Sequence, residues 1–110
     1  MTHLLQGTLD VLTLRTLAWE PMHGYGISRW IRERTSDSIV VQDAALYKAL
    51  RRLESTGAIK AEWGWTDQNR RARYYRLTAS GRKELTRAAS AWRDYVAAIA
   101  KVLEPLPGED

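Results

Sequence analysis

The spacing of apolar positions changes twice along this chain, from helical to alternating and back. Leu5, Leu9, Leu12, Leu14 and Leu17 recur largely at three- and four-residue intervals, which predicts an amphipathic first helix. Gly7-Thr8 is a plausible start. Glu20-Pro21 is a stop, because proline disfavours a helical residue before it. Pro21 to Gly24 reads as a tight connection, with His23 supporting the turn. A second helix is expected from about Tyr25 to Arg34, with Ile27, Trp30 and Ile31 on one face. Thr35 to Ser38 is a turn cluster, and the β-branched run Ile39-Val40-Val41 predicts a short strand. Asp43 is the expected N-cap of a third helix. Leu46, Leu50 and Leu53 form its buried stripe, and Gly57 is its left-handed terminator.

From Gly57 the period switches to two. Ile59, Ala61, Trp63 and Trp65 alternate with Lys60, Glu62 and Gly64, as strand geometry requires. Thr66 to Arg71 forms a hairpin tip, and Arg73 to Leu77 returns as the partner strand with Tyr75 and Leu77 on one face. Thr78 caps a last helix whose apolar positions are Leu85, Ala88/Ala89, Trp92, Tyr95/Val96, Ile99 and Val102/Leu103. Leu85, Trp92 and Ile99 lie seven apart, a seam suited to a second helix. Pro105 and Pro107 end it.

This order of elements predicts a mainly α fold with a small β-hairpin wing. A winged helix-turn-helix domain would span residues 1–78, a dimerisation helix 79–104 and a flexible tail 105–110. A winged helix-turn-helix offers a helix slim enough for the DNA major groove, with a charged ribbon beside it.

Charge strengthens that reading because it is local. The 110 residues hold 17 Lys+Arg against 13 Asp+Glu, a net of only +4. Between Lys48 and Arg76, however, eight basic residues face three acidic ones, so the remainder is nearly neutral. An amphipathic helix with basic residues on its wet face occurs in many soluble proteins. A run of arginines at a hairpin tip has no comparable role in folding, since like charges repel, but it suits phosphate oxygens. Candidate DNA-contacting residues are Ala44, Ala45, Tyr47, Lys48, Arg51 and Arg52 on the helix and Asn69, Arg70, Arg71 and Arg73 at the wing. Two alternatives stay open: a winged module that binds an acidic protein, and a small-molecule sensor with little DNA specificity.

Trp63, Trp65, Tyr74 and Tyr75 are expected to pack across the hairpin and onto the helices. Trp92 and Tyr95 read either as interface core or as a flat apolar site for a planar hydrophobic molecule. There is no cysteine, hence no disulfide or thiolate metal site. His3 and His23 lack ligand partners at metal spacing, so no metal or cofactor is expected. No Gly-rich phosphate loop, cysteine nucleophile or paired carboxylates suggest an enzyme. Neither a signal peptide nor a bilayer-length apolar run is evident, which points to a cytoplasmic protein without membrane contact.

Several motifs, taken in order, resemble the PadR-like transcriptional regulators. They are Gly7-Thr8-Leu9-Asp10 with Leu12 and Leu14, then Met22 to Ile27, then Leu46-Tyr47 with Ala49-Leu50, Leu53-Glu54 and Gly57. Arg71 to Thr78 and Gly81 complete the set, which spans about residues 4–103. The resemblance implies a bacterial, dimeric, DNA-binding repressor. Its single C-terminal helix is similar to the smaller subgroup, in which the first helix also helps form the dimer. Leu5, Leu9, Leu85, Ala89, Trp92, Val96, Ile99 and Leu103 would then line the homodimer interface. Some members respond to phenolic or planar hydrophobic effectors near the dimer centre, where Trp92 and Tyr95 would fall. Two positions depart from the pattern. Ala45 replaces a small hydroxyl residue before the Leu-Tyr pair, and Lys48 replaces a proline after it, so operator preference does not transfer.

Overall fold

The computed structural model describes residues 7–109; Leu5 and His3 lie outside the described residues. Helix α1 (Thr8–Trp19) leads through strand β1 (Met22–His23) into α2 (Gly24–Arg34) and α3 (Asp43–Ser55). Strands β2 (Ile59–Trp65) and β3 (Arg71–Leu77) form the wing, and α4 (Ala79–Leu103) ends the chain. The sheet is antiparallel in the order β1-β3-β2. This is a winged-helix fold.

Helix α1 is the centre of the molecule. It touches α2, α3, α4 and β3, and it is buried around most of its circumference rather than along one stripe. Thr13 and Thr16 are buried beside Leu14 and Leu17, and the Thr16 hydroxyl is satisfied by donating to the Leu12 carbonyl at 2.8 Å. Burial on most sides explains why the leucine spacing understated this helix. Around it Ile27 and Ile31 of α2, Leu46, Leu50 and Leu53 of α3, and Ile59 and Tyr75 of the wing close the core. Each such aliphatic side chain contributes about 1.5–3 kcal/mol on burial.

Three local expectations need correction. Ile39-Val40-Val41 is not a strand; it is an unpaired connection in which Val41 reaches the core while Val40 is exposed. The edge of β3 opposite β2 is taken instead by Met22 and His23, which pair with Tyr75 and Tyr74. Asp43 is the first helical residue of α3, not its cap. Gln42 occupies the cap without a side-chain bond, and Asp43 places a carboxylate in the positive first turn. Strand β3 also starts earlier than expected, so Arg71 faces Trp65 across the ladder.

The ends of α3 and α4 meet in one joint. Gly57, at φ +81°, lets the chain reverse, and the amides of Gly57 and Ala58 bond back to Glu54 and Leu53 at 3.1 and 3.0 Å. That pair of bonds closes the last turn of α3 as a Schellman motif. Thr78 then caps α4: its hydroxyl oxygen accepts from the Gly81 amide at 3.0 Å and donates to the Gly57 carbonyl at 2.6 Å. Its amide donates to the Ala58 carbonyl at 3.1 Å. A Cβ on Gly81 would collide with that same carbonyl oxygen, so α4 begins in backbone contact with the end of α3.

Beyond this joint the first half of α4 packs on α1, and the second half projects. The molecule measures 60 × 28 × 21 Å as a result. No helix among the described residues is long and apolar enough to cross a membrane.

Replacing Gly81 with alanine should lower stability by about 2 kcal/mol or more, since the obstacle is backbone and cannot yield by a rotamer change. The midpoint of urea unfolding reads this; an unchanged midpoint would mean that α4 can shift off Ala58 without cost.

Candidate nucleic-acid interface

On α3 the buried positions Leu46, Ala49, Leu50 and Leu53 point inward, which leaves Ala44, Ala45, Tyr47, Lys48, Arg51 and Arg52 exposed. Ala44, Tyr47, Lys48 and Arg51 follow the i, i+3, i+4, i+7 rule and share one face. Arg52 is on another. Its guanidinium is paired with the Asp10 carboxylate of α1, a bond that holds its pKa above the ordinary arginine value.

Tyr47 lies over the start of α2. An added Cβ at Gly24 would approach the Tyr47 hydroxyl to 2.8 Å, so a side chain there would push the phenol aside. His23 supports this helix start, as expected: its Nδ1 accepts from the Gly26 amide at 2.9 Å. The His23 ring is 5.2 Å from Tyr74 and 6.2 Å from Tyr25.

The wing is built by its turn. The Thr66 amide donates to the Arg70 carbonyl at 2.8 Å and the Asn69 amide to the Thr66 carbonyl at 2.9 Å. Asn69 adopts φ +62°, a left-handed conformation that asparagine tolerates well at the end of a three-residue hairpin loop. Asn69 therefore has a conformational role whatever else it touches. Arg70 and Arg71 project next to it, and the Arg71 guanidinium stacks 4.9 Å above the Trp63 ring. Arg73 is turned inward to Glu54 of α3 at 3.0 Å. Tyr75 beneath it is buried, and desolvation holds its phenol above the usual pKa.

Among the described residues, Lys48, Arg51, Arg70 and Arg71 have no carboxylate partner, whereas Arg52 and Arg73 do. The structure thus splits the basic candidates into free and paired groups. Beside them lies an open cleft of about 480 Å³, lined by Gly24, Tyr25 and Tyr47 from the helices and by Trp63, Arg70, Arg71 and Arg73 from the wing. Arginines and aromatic rings lining one cleft suit a polyanion with apolar edges. Tyr25 and Trp63 were not among the candidates. Trp63 and Trp65, expected to be packed, are 62% and 64% exposed. The alternation of the strand placed them on the right face, but the core ends at Ala61 and does not extend beneath them.

A second concavity, of about 430 Å³, separates α1 from α4. Trp92 and Tyr95 line it, stacked at 5.6 Å and 24° between planes, together with Val11, Leu14, Leu53 and Ala88. Glu84 stands at its edge, and the hydrogen bond from Arg87 holds its carboxyl below the usual range. Of the expected interface residues, Leu9 and Leu85 already pack within the protomer's own core. Val96, Ile99 and Leu103 are exposed, and Ala89 and Trp92 are half-buried.

The family model for PadR-like transcriptional regulators matches residues 13–87. The chain belongs to the PadR-like family. A transcriptional regulator from Clostridium thermocellum shares 33% identity, with a TM-score of 0.79, over 87% of this chain and 90% of that one. A PadR-family transcription regulator from hypervirulent Clostridium difficile shares 29%, with a TM-score of 0.75, over 88% and 99%. An uncharacterised protein of Lysinibacillus sphaericus is 31% identical over 94% of both chains. The matched span of this PadR-like regulator covers α3 and the wing, so the free cations lie inside the family's shared part.

Two neighbouring arginines should therefore behave differently. Arg51→Gln is expected to weaken duplex binding several-fold, because a free cation on the exposed α3 face is lost. Arg52→Gln should leave binding within about twofold and lower stability by up to about 1 kcal/mol, the scale of an exposed ion pair. Equal losses of DNA affinity, measured by fluorescence anisotropy, would place Arg52 among the DNA-contacting groups.

Proposed function

We propose that this PadR-like regulator is a cytoplasmic homodimeric repressor that binds a dyad-symmetric DNA operator. The observation that carries this is the set of unpaired cations, Lys48 and Arg51 on the exposed face of α3 and Arg70 and Arg71 on the aromatic cleft beside it. In this reading α3 enters the major groove and the wing arginines hold phosphates beside it. Residues 1–78 act as the DNA-binding unit. The paired Arg52 and Arg73 serve to orient α3 against α1 and the wing.

The dimer rests on α4. Tyr95, Val96 and Ile99 are half-exposed, while Val102 and Leu103 are 83% and 75% exposed along the same apolar seam. Such a stripe on a helix of roughly 37 Å calls for a second helix. A second copy supplies one by symmetry, and its two α3 helices would reach successive major grooves ~34 Å apart. Planar hydrophobic effectors would enter at Trp92 and Tyr95, in the concavity that the dimer helices border.

The decisive experiment is fluorescence anisotropy with the duplex upstream of the protein's own gene, against scrambled DNA, over a range of salt. Tight binding lost in the scramble supports sequence-specific, autoregulating repression; no binding at low salt sinks the DNA reading. Arg70→Ala with Arg71→Ala should weaken binding to every duplex and lower the log–log salt slope by about 1–2, because phosphate neutralisation sets that slope. Trp92→Asp or Ile99→Asp should yield monomers in sedimentation at low micromolar concentration, since each would bury a charge at an apolar seam. A surviving dimer would refute this interface.

A further inference from the structure

The two faces of the wing differ in how completely the chain satisfies them. On one face Arg76 pairs with Glu62 at 3.0 Å, and the Tyr74 ring lies across Gly64 with its hydroxyl bonded to the Trp65 carbonyl at 3.0 Å. That face is closed. On the other, the register sets Trp65 opposite Arg71 and Trp63 opposite Arg73, all pointing to the α3 side. There both indoles, two large apolar side chains on one short strand, stand about two-thirds exposed beyond the end of the core. Trp63 also forms a wall of the cleft that Tyr47 and Arg70 share, and Arg71 is held over its ring.

We propose, resting on the DNA-binding reading above, that Trp63 and Trp65 contact DNA directly, lying against the sugar walls of the minor groove beside the segment met by α3. The chemistry of that groove matches the wing in layers. Its rims are phosphates, which Arg70 and Arg71 meet; its walls are deoxyribose edges, which are apolar and accept a flat indole. Apolar side chains flanked by arginine are a recurrent means of engaging this groove and of sensing its width. An acidic protein partner would satisfy the arginines but offers no comparable apolar wall between two anionic rims. Arg71 is pre-ordered by its stack on Trp63, so less freedom is lost when it reaches a phosphate. The wing is thereby a reader of groove shape as well as a phosphate clamp.

The test compares wild-type protein with Trp63→Ala/Trp65→Ala in anisotropy titrations on one duplex at several salt concentrations. Both side chains are exposed, so circular dichroism should be unchanged. Affinity is expected to fall about tenfold at every salt concentration with the salt slope retained, because no charge is removed. Wild-type affinity in the variant would overturn the proposal and leave the indoles for another partner. A loss of about one or more in slope would overturn it too, by showing that the indoles act only as props for Arg71. In a second measurement, 5-fluorotryptophan protein should show the position-63 and position-65 fluorine resonances, assigned with single Trp→Phe variants, shifting on duplex addition. Unshifted resonances in bound protein would count against contact. If wild-type protein binds no duplex at low salt, the DNA reading itself fails; if it binds and only the variant results disagree, this inference alone fails.

Discussion

The contact between Gly81 and the Ala58 carbonyl ties together the two working ends of the molecule. On one side of it, Gly57 closes α3 and starts the wing; on the other, Thr78 caps α4 with bonds to Gly57, Ala58 and Gly81. Few atoms separate the helix proposed to meet DNA from the helix proposed to meet a second copy. A backbone-to-backbone approach cannot bend by rotamer changes, so the direction of α4 fixes the direction of α3. In the proposed dimer, this would transmit dimer geometry to half-site spacing with little slack. Ser80, which donates to the Gly57 carbonyl at 3.0 Å, adds a further tie to the same turn.

Charge is sorted by the fold rather than simply accumulated. Arg52 is held by Asp10 of α1, and Arg73 by Glu54 of α3. Each exposed pair is worth at most about 1 kcal/mol, so neither is a main source of stability. Their effect is directional. They pair two guanidinium groups with carboxylates and brace the flanks of α3, while Lys48, Arg51, Arg70 and Arg71 have no carboxylate partner among the described residues. A net charge of +4 is modest, but the exposed face of α3 and the wing tip each carry two cations without a carboxylate partner among the described residues.

Much of the fold was legible in the chain because its signals are local. The 3.6 and 2.0 periods, Pro21, Gly57 and Thr78 located α1, α2, α3, the hairpin and α4 to within a residue or two. Where the reading failed, the missing information was long-range. Met22-His23 is a strand because β3 offers it an edge, whereas Ile39 to Val41 pairs with no strand of the sheet. Trp63 and Trp65 carry the correct alternation, yet no core exists beneath the outer wing to cover them.

The sequence by itself determined the positions of the four helices and of the wing hairpin to within a residue or two, that basic residues cluster between Lys48 and Arg76, and that α4 bears an apolar seam. These follow from spacing and residue type within one or two turns of chain. Only the tertiary structure decided which cations are free. Arg52 meets a carboxylate 42 residues away and Arg73 one 19 residues away, pairings no periodicity encodes. It also brought Tyr25, Tyr47 and Trp63 around one cleft. Periodicity reports which way a side chain faces on its own element; what it faces depends on how distant elements pack.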